Sequence, residues 1–67
     1  MNLYTVTGPK GETVVEAMGK FDACNDRYEL DTGFYAPVAQ ELEVSPGIVA
    51  LRYPGGWFYR AEHIEPL

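Results

Sequence analysis

The chain is short of cysteine, of positive charge and of long apolar runs. Its one cysteine, Cys24, excludes an internal disulfide, and no cluster of metal ligands stands in for one. Five basic residues against ten acidic ones give a net charge of -5, which disfavours nucleic-acid binding. No segment is apolar enough for a membrane span, and the N-terminus lacks the features of a signal peptide. We expect a cytoplasmic protein that does not associate with a membrane and binds no metal or cofactor.

The sequence contains few residues from which a catalytic site could be built. Cys24 and His63 are the only pair from which a nucleophile and its base could be assembled, and neither lies in a recognised local context. A chain of 67 residues also has little capacity to enclose a substrate beside its own core. We predict that the protein is not an enzyme.

The composition is that of one small folded domain spanning residues 1–67. Hydrophobic residues make up 46% of the chain and aromatic residues 13%, which favours a packed globule over a disordered segment. At this length a single core is only just sufficient. Packing therefore has to supply the stability.

The last third of the chain predicts a β-hairpin. Two runs rich in β-branched and aromatic residues flank Pro54-Gly55-Gly56. Both a two-residue and a three-residue loop fit the sequence. Changing from one to the other shifts the register and moves every side chain to the opposite face of the hairpin. The three-residue loop sorts the residues better. It pairs Tyr53 with Trp57, Leu51 with Tyr59 and Val49 with Ala61 on a core face, and it puts Arg52, Phe58, Arg60 and Glu62 on the other.

Phe58 has two interpretations in that register. As an aromatic side chain between Arg52 and Arg60, it would anchor a partner that the two arginines orient. Alternatively, a second layer or the curl of a small barrel covers it, and the arginine stems flank it. We favour the covered position, because a small core gains much from each aromatic side chain.

The N-terminal half begins with a strand and continues ambiguously. Residues 3–7 alternate, with Tyr4 and Val6 on one face, and residues 8–11 form a turn. A capping box and a helically spaced apolar stripe then favour a short helix near residues 13–24. The competing interpretation is a strand over residues 13–18 that pairs with the first strand.

The middle of the chain is acidic and then aromatic. Its five oxygen-bearing side chains lack the spacing of a calcium loop and predict caps, turns and a solvated edge. Residues 27–31 alternate as a short strand would, and residues 38–44 predict another strand. The acidic set is Asp22, Asn25, Asp26, Glu29 and Asp31, and the later strand would put Val38, Gln40, Leu42 and Val44 on one side.

Phe34 and Tyr35 form a second candidate contact surface. They lie in a loop bounded by glycine and proline, and loop aromatics displayed by a β scaffold often bind partners. The alternative is that both rings plug the end of the sheet.

Residues 40–67 resemble the second half of a Src-homology-three-like small β-barrel. The order strand, turn, strand, tight turn, strand ends in Ile64-Glu65-Pro66-Leu67, which is similar to the closing strand of that family. The resemblance implies a barrel. Peptide-binding members have a tryptophan where this chain has Ile48 or Val49, a proline at Arg60 and a tyrosine at His63, so proline-rich ligands do not follow.

Together these patterns predict a mostly-β fold. We expect a small bent antiparallel sheet or barrel of about five strands with one short helix, and α+β is the alternative. The predicted function is a non-enzymatic protein-interaction module, a small microbial or viral accessory or inhibitor protein. The alternatives are a self-associating structural subunit and a nucleic-acid-binding small barrel. The candidate partner-binding residues are Phe34, Tyr35, Arg52, Phe58 and Arg60.

Overall fold

The computed structural model describes residues 1–64, which form a five-stranded antiparallel sheet and one helix. The sheet is open, with strand order β2-β1-β5-β4-β3. The predicted mostly-β class with about five strands is confirmed, as an open antiparallel sheet and not as a closed barrel. The elements are β1 (Asn2–Gly8), β2 (Gly11–Ala17), α1 (Lys20–Thr32), β3 (Gln40–Ser45), β4 (Ile48–Tyr53) and β5 (Trp57–His63).

The hairpin of β4 and β5 has the three-residue loop. Tyr53 pairs with Trp57 across it, and the Gly56 N–H donates to the Tyr53 carbonyl at 3.2 Å. Gly55 and Gly56 both have positive φ, 90° and 85°, which explains why glycine stands at each position. The predicted register is confirmed, because Leu51 and Tyr59 face the core together.

The predicted position of the helix, near residues 13–24, is wrong in its first part. Residues 13–17 belong to β2, which pairs with β1 along its whole length from Asn2–Ala17 to Gly8–Gly11. The adjacent valines at 14 and 15 suit a strand, and the tight turn brings that strand beside β1. The helix begins only at Lys20, so it shares residues 20–24 with the predicted range. The competing strand interpretation is the correct one.

Residues 27–31 are helical, and the predicted strand there is wrong. The inward face of α1 carries Ala23, Cys24 and Tyr28, which are buried and recur at helical spacing. Gly33 ends the helix in the left-handed conformation, and its N–H donates to the Glu29 carbonyl at 2.8 Å. Alternation over five residues was too short to distinguish the two structures.

The core lies between α1 and one face of the sheet. An aromatic cluster fills its centre, where the Tyr28 ring stacks on Tyr53 with centroids 4.4 Å apart. Tyr59 meets Tyr28 and Tyr53 edge to face, and Trp57 meets Tyr28 in the same way. Valine and alanine fill the space around the rings. The buried hydrophobic residues are Tyr4, Val6, Ala17, Ala23, Cys24, Tyr28, Val49, Ala50, Leu51, Tyr53, Tyr59 and Ala61.

Two tyrosine hydroxyls hold the helix on the sheet. Tyr53 Oη donates to Asn25 Oδ1 at 2.6 Å, and Tyr59 Oη donates to Asp31 Oδ2 at 2.7 Å. The Asp31 side chain is only 3% exposed, and its other oxygen lies 3.1 Å from an Arg27 nitrogen. The prediction that this acidic segment is a solvated edge is therefore wrong for Asn25 and Asp31. A buried carboxylate needs such partners.

Gly8 makes room for one of these tyrosines. A Cβ atom at residue 8 would stand 2.5 Å from Tyr59 Cδ1, far inside van der Waals contact. The Tyr59 ring therefore lies directly on the backbone of β1. Any larger residue at position 8 would displace the ring and, with it, the hydroxyl that bonds Asp31.

A bulge divides β3. Its register with β4 shifts between Glu41 and Glu43, so that Glu41 pairs with Leu51 and Glu43 with Ala50. Glu41 consequently lies on the helix-side face, whereas Glu43 lies on the opposite face. Strict alternation along residues 38–44 was therefore a wrong prediction, because Gln40 and Val44 lie on opposite faces. The strand also begins at Gln40 and not at residue 38.

The barrel resemblance stays a prediction. The hairpin-linked strands on which it rests are present as β3, β4 and β5. Glu65, Pro66 and Leu67, which complete its closing strand, lie outside the described residues. Within residues 1–64, the helix is too short and too polar to be a candidate for crossing a membrane.

Candidate interaction surfaces

The face of the sheet opposite the helix carries Phe58. Phe58 pairs with Arg52 across the hairpin and is 42% exposed, and it shares its face with Leu3 and Val14. The expectation that a second layer covers this ring is therefore wrong for the described part of the chain. We call this surface the open face.

Arg60 lies on the open face, but its side chain is paired with carboxylates of the same sheet. Its Nε is 3.7 Å from Glu43 Oε1, and a terminal nitrogen is 3.5 Å from Glu62 Oε1. Arg60 and Glu43 flank Ala50 in register on its two sides, and Ala50 is buried although its strand position faces away from the helix. The arginine thus covers its neighbour on β4. Exposed ion pairs of this kind contribute about 0.2–1 kcal/mol.

The loop after the helix displays large apolar side chains. Phe34 is 71% exposed, Tyr35 is 93% exposed and Val38 is 94% exposed. The loop itself is anchored, because the Ala36 N–H donates to Glu29 Oε2 at 2.8 Å and the Phe34 N–H to a threonine hydroxyl at 3.2 Å. The alternative that Phe34 and Tyr35 plug the sheet is wrong. We call residues 34–38 the display loop.

The five predicted contact residues fall into two groups. Arg52, Phe58 and Arg60 share the open face, whereas Phe34 and Tyr35 belong to the display loop, which follows the helix. A shallow depression beside the hairpin turn, lined in part by Val38 and Arg52, lies between the groups. The two groups are therefore neighbouring surfaces and not one patch.

A cleft that the sequence did not suggest lies on the helix side of the sheet. It has a volume of about 310 Å³. It exists because α1 packs on β1, β2, β4 and β5 but leaves β3 uncovered. Phe21 is 38% exposed here. We call it the Leu51 cleft, and its lining residues are Phe21, Asn25, Ala36, Pro37, Val38, Ala39, Glu41 and Leu51.

The outer surface of the helix is acidic. Asp22 and Asp26 stand one turn apart, and Glu29 follows three residues later. Desolvation raises the pKa of the Asp26 carboxyl above its ordinary value, and the charges of Glu29 and Asp22 raise it further. Like charges are thus crowded on this surface.

Cys24 is a free cysteine buried in the core. Burial raises the pKa of its thiol to about 12, because the apolar surroundings disfavour the thiolate. His63 packs its ring against Tyr4, with centroids 5.3 Å apart. Among residues 1–64, no three side chains of the types His, Cys, Asp and Glu are grouped to hold a metal ion.

Comparisons with known proteins give this chain no relative. No family model, no curated protein and no solved structure matches it. The candidate functional surfaces of the chain are the open face, the display loop and the Leu51 cleft.

Proposed function

We propose that the protein is a non-enzymatic interaction module that binds a protein partner through its display loop. The observation that carries this proposal is the exposure of Phe34, Tyr35 and Val38 on a loop whose backbone is hydrogen-bonded in place. Binding and recognition residues are concentrated on loops that a rigid scaffold positions.

The anchoring of the loop matters for affinity. A contact loop that is already ordered loses less conformational entropy on association than a flexible one. The bond from the Ala36 N–H to Glu29 fixes the centre of the loop to the helix, while Tyr35 beside it remains almost fully exposed. Tyrosine is among the residues that contribute most to protein interfaces. Tyr35 is therefore the expected anchor.

The open face offers a second contact. Phe58 and Arg52 are paired across the hairpin and are both exposed, and aromatic residues and arginine are enriched in binding hot spots. Arg60 is less available, since it lies close to Glu43 and Glu62. We therefore assign Arg60 mainly to holding the sheet, and Phe58 with Arg52 to contacting a partner.

Affinity capture from an extract of the source organism tests the proposal. The bait is compared with Tyr35→Ala, with Phe58→Ala and with Leu30→Ala, a control at an exposed position on the helix. We expect one partner to be retained by the wild type and by Leu30→Ala, and to be lost by Tyr35→Ala. Circular dichroism verifies that each variant is folded. Equal capture by all four proteins would refute the assignment to the display loop.

Self-association is the rival function, and the open edges of the sheet favour it. β2 is a regular edge strand of seven residues. If two copies paired antiparallel about Val14, however, Glu12 would face Glu16 of the other copy, and like charges directly opposite are destabilising. We therefore expect a monomer in sedimentation at high concentration. A concentration-dependent dimer would favour the rival.

A further inference from the structure

We infer that the Leu51 cleft binds a lysine- or arginine-bearing peptide segment of the partner protein. The aliphatic stem of the basic side chain would lie against Phe21 and Val38, with its charged head at Glu41. This inference rests on the proposed function and adds to it the chemistry of the partner. It also assigns a contact site that is distinct from the exposed rings of Phe34 and Tyr35.

The apolar part of the cleft fits such a stem. Leu51 is one of its lining residues, and Phe21 and Val38 line it while keeping much of their surface exposed. The long methylene stems of lysine and arginine pack along apolar surface while their charged ends stay in water. A cleft that is open to solvent suits this division.

The charged part of the cleft favours a positively charged ligand. Glu41 lines the cleft, and the salt bridges found within residues 1–64 involve Asp31, Glu43 and Glu62 and leave Glu41 out. The nearby helix adds Asp22 and Asp26 next to Phe21 and Asn25 in sequence. A cation is therefore favoured at this end of the molecule, and an anion is repelled.

The basic side chains of the helix do not neutralise this site. Lys20 Nζ donates to the Ser45 carbonyl at 2.6 Å, and Arg27 pairs with the buried Asp31.

A second copy of this chain is a poorer occupant than a cationic partner. Two molecules that each carry a net charge of -5 repel one another. A purely apolar segment is also disfavoured, because it would bury the Glu41 carboxylate and the Asn25 amide without new partners for either. The complementary occupant is a segment that is both basic and apolar.

Selection from a displayed library of random 12-residue peptides tests the inference on the whole protein. We expect the selected peptides to be enriched in Lys or Arg beside apolar residues. Their binding should fall at least tenfold in Glu41→Lys and in Phe21→Ser, two changes that lie outside the display loop. The matched control is Glu12→Lys, which makes the same charge change on β2, at the opposite edge of the sheet. Binding to this control should change less than threefold.

The outcomes separate the cleft from the display loop. Failure to select any peptide, selection of peptides without basic residues, or equal binding to Glu41→Lys would each overturn the inference. Peptides that are lost in Tyr35→Ala but kept in Glu41→Lys would also overturn it, while they support the proposed function. If Glu41→Lys abolishes a dimer seen in sedimentation, the occupant is a second copy and not a cationic partner.

Discussion

The two faces of the sheet are formed by the same alternating strands, but one face is buried and the other is exposed. On the helix side, Tyr53 and Tyr59 are buried, and their hydroxyls bond acceptors on α1. On the open face, Phe58 comes from the same hairpin and remains exposed. The difference arises from the single helix, which covers one face and leaves the other to solvent. Alternation divides the residues into two sets, and the helix decides which set becomes core.

The largest expected effect comes from removing a ring on the covered face. Tyr53→Ala should lower the free energy of unfolding by about 3–5 kcal/mol, because it leaves a cavity beside Tyr28 and an unpaired Asn25. Tyr35→Ala is the matched control, since it removes the same side chain from an exposed position. Urea unfolding measures both. Equal losses in the two variants would contradict the assignment of Tyr53 to the core.

Gly8→Ala should have the next largest effect. The added methyl group overlaps the Tyr59 ring, so we expect a loss of about 2–4 kcal/mol from overpacking and from the displaced bond to Asp31. Gly19→Ala is the control, because its Cβ would meet nothing closer than 3.9 Å. Thermal unfolding compares them. A Gly8→Ala variant as stable as Gly19→Ala would show that Tyr59 can occupy another position.

Phe58→Ala tests the open face. Because the ring is partly exposed and its cross-strand neighbour is Arg52, we expect less than about 1 kcal/mol of lost stability. Partner capture should nevertheless weaken. Urea unfolding and capture are measured on the same preparation. A drop of several kcal/mol with unchanged capture would assign Phe58 to the structure and not to binding.

Asp26→Asn should have the smallest effect, and it is stabilising. The pKa of Asp26 is raised in the folded protein, so ionisation of this carboxyl opposes folding at neutral pH. Removing the charge should add about 0.2–0.5 kcal/mol for each like-charge neighbour relieved, and solvent screening keeps the gain small. The gain should be present at pH 7 and absent near pH 3, where the carboxyl is protonated. A gain that is independent of pH would rule out this electrostatic origin.

The hairpin was predictable because local chemistry determines it. Pro54-Gly55-Gly56 sets the loop length, and only one register collects Leu51 and Tyr59 on the same face. The helix was misplaced because its inward face includes the polar residues Arg27 and Asp31, which weaken the apolar period. The burial of Asp31 depends on a tyrosine hydroxyl from a distant strand, which no local pattern reveals.

Of the candidate surfaces, likewise, one could be predicted from the sequence and another could not. Phe34 and Tyr35 were recognisable because an aromatic pair in a loop stands out in the sequence. The Leu51 cleft was not, since its walls come from the helix, the display loop and two strands. The bulge in β3 also brings Glu41 to the cleft side, against the alternation of the sequence. Such a site exists only in the folded chain.

The two tyrosine hydroxyl bonds fix the helix against both rotation and sliding. Asn25 and Asp31 lie about 9 Å apart along the helix axis, so a shift by one residue would break both bonds at once. An insertion or deletion within the helix should therefore be more disruptive than one in residues 34–39, which take part in neither bond. The display loop can thus change in sequence while the helix keeps its place on the sheet.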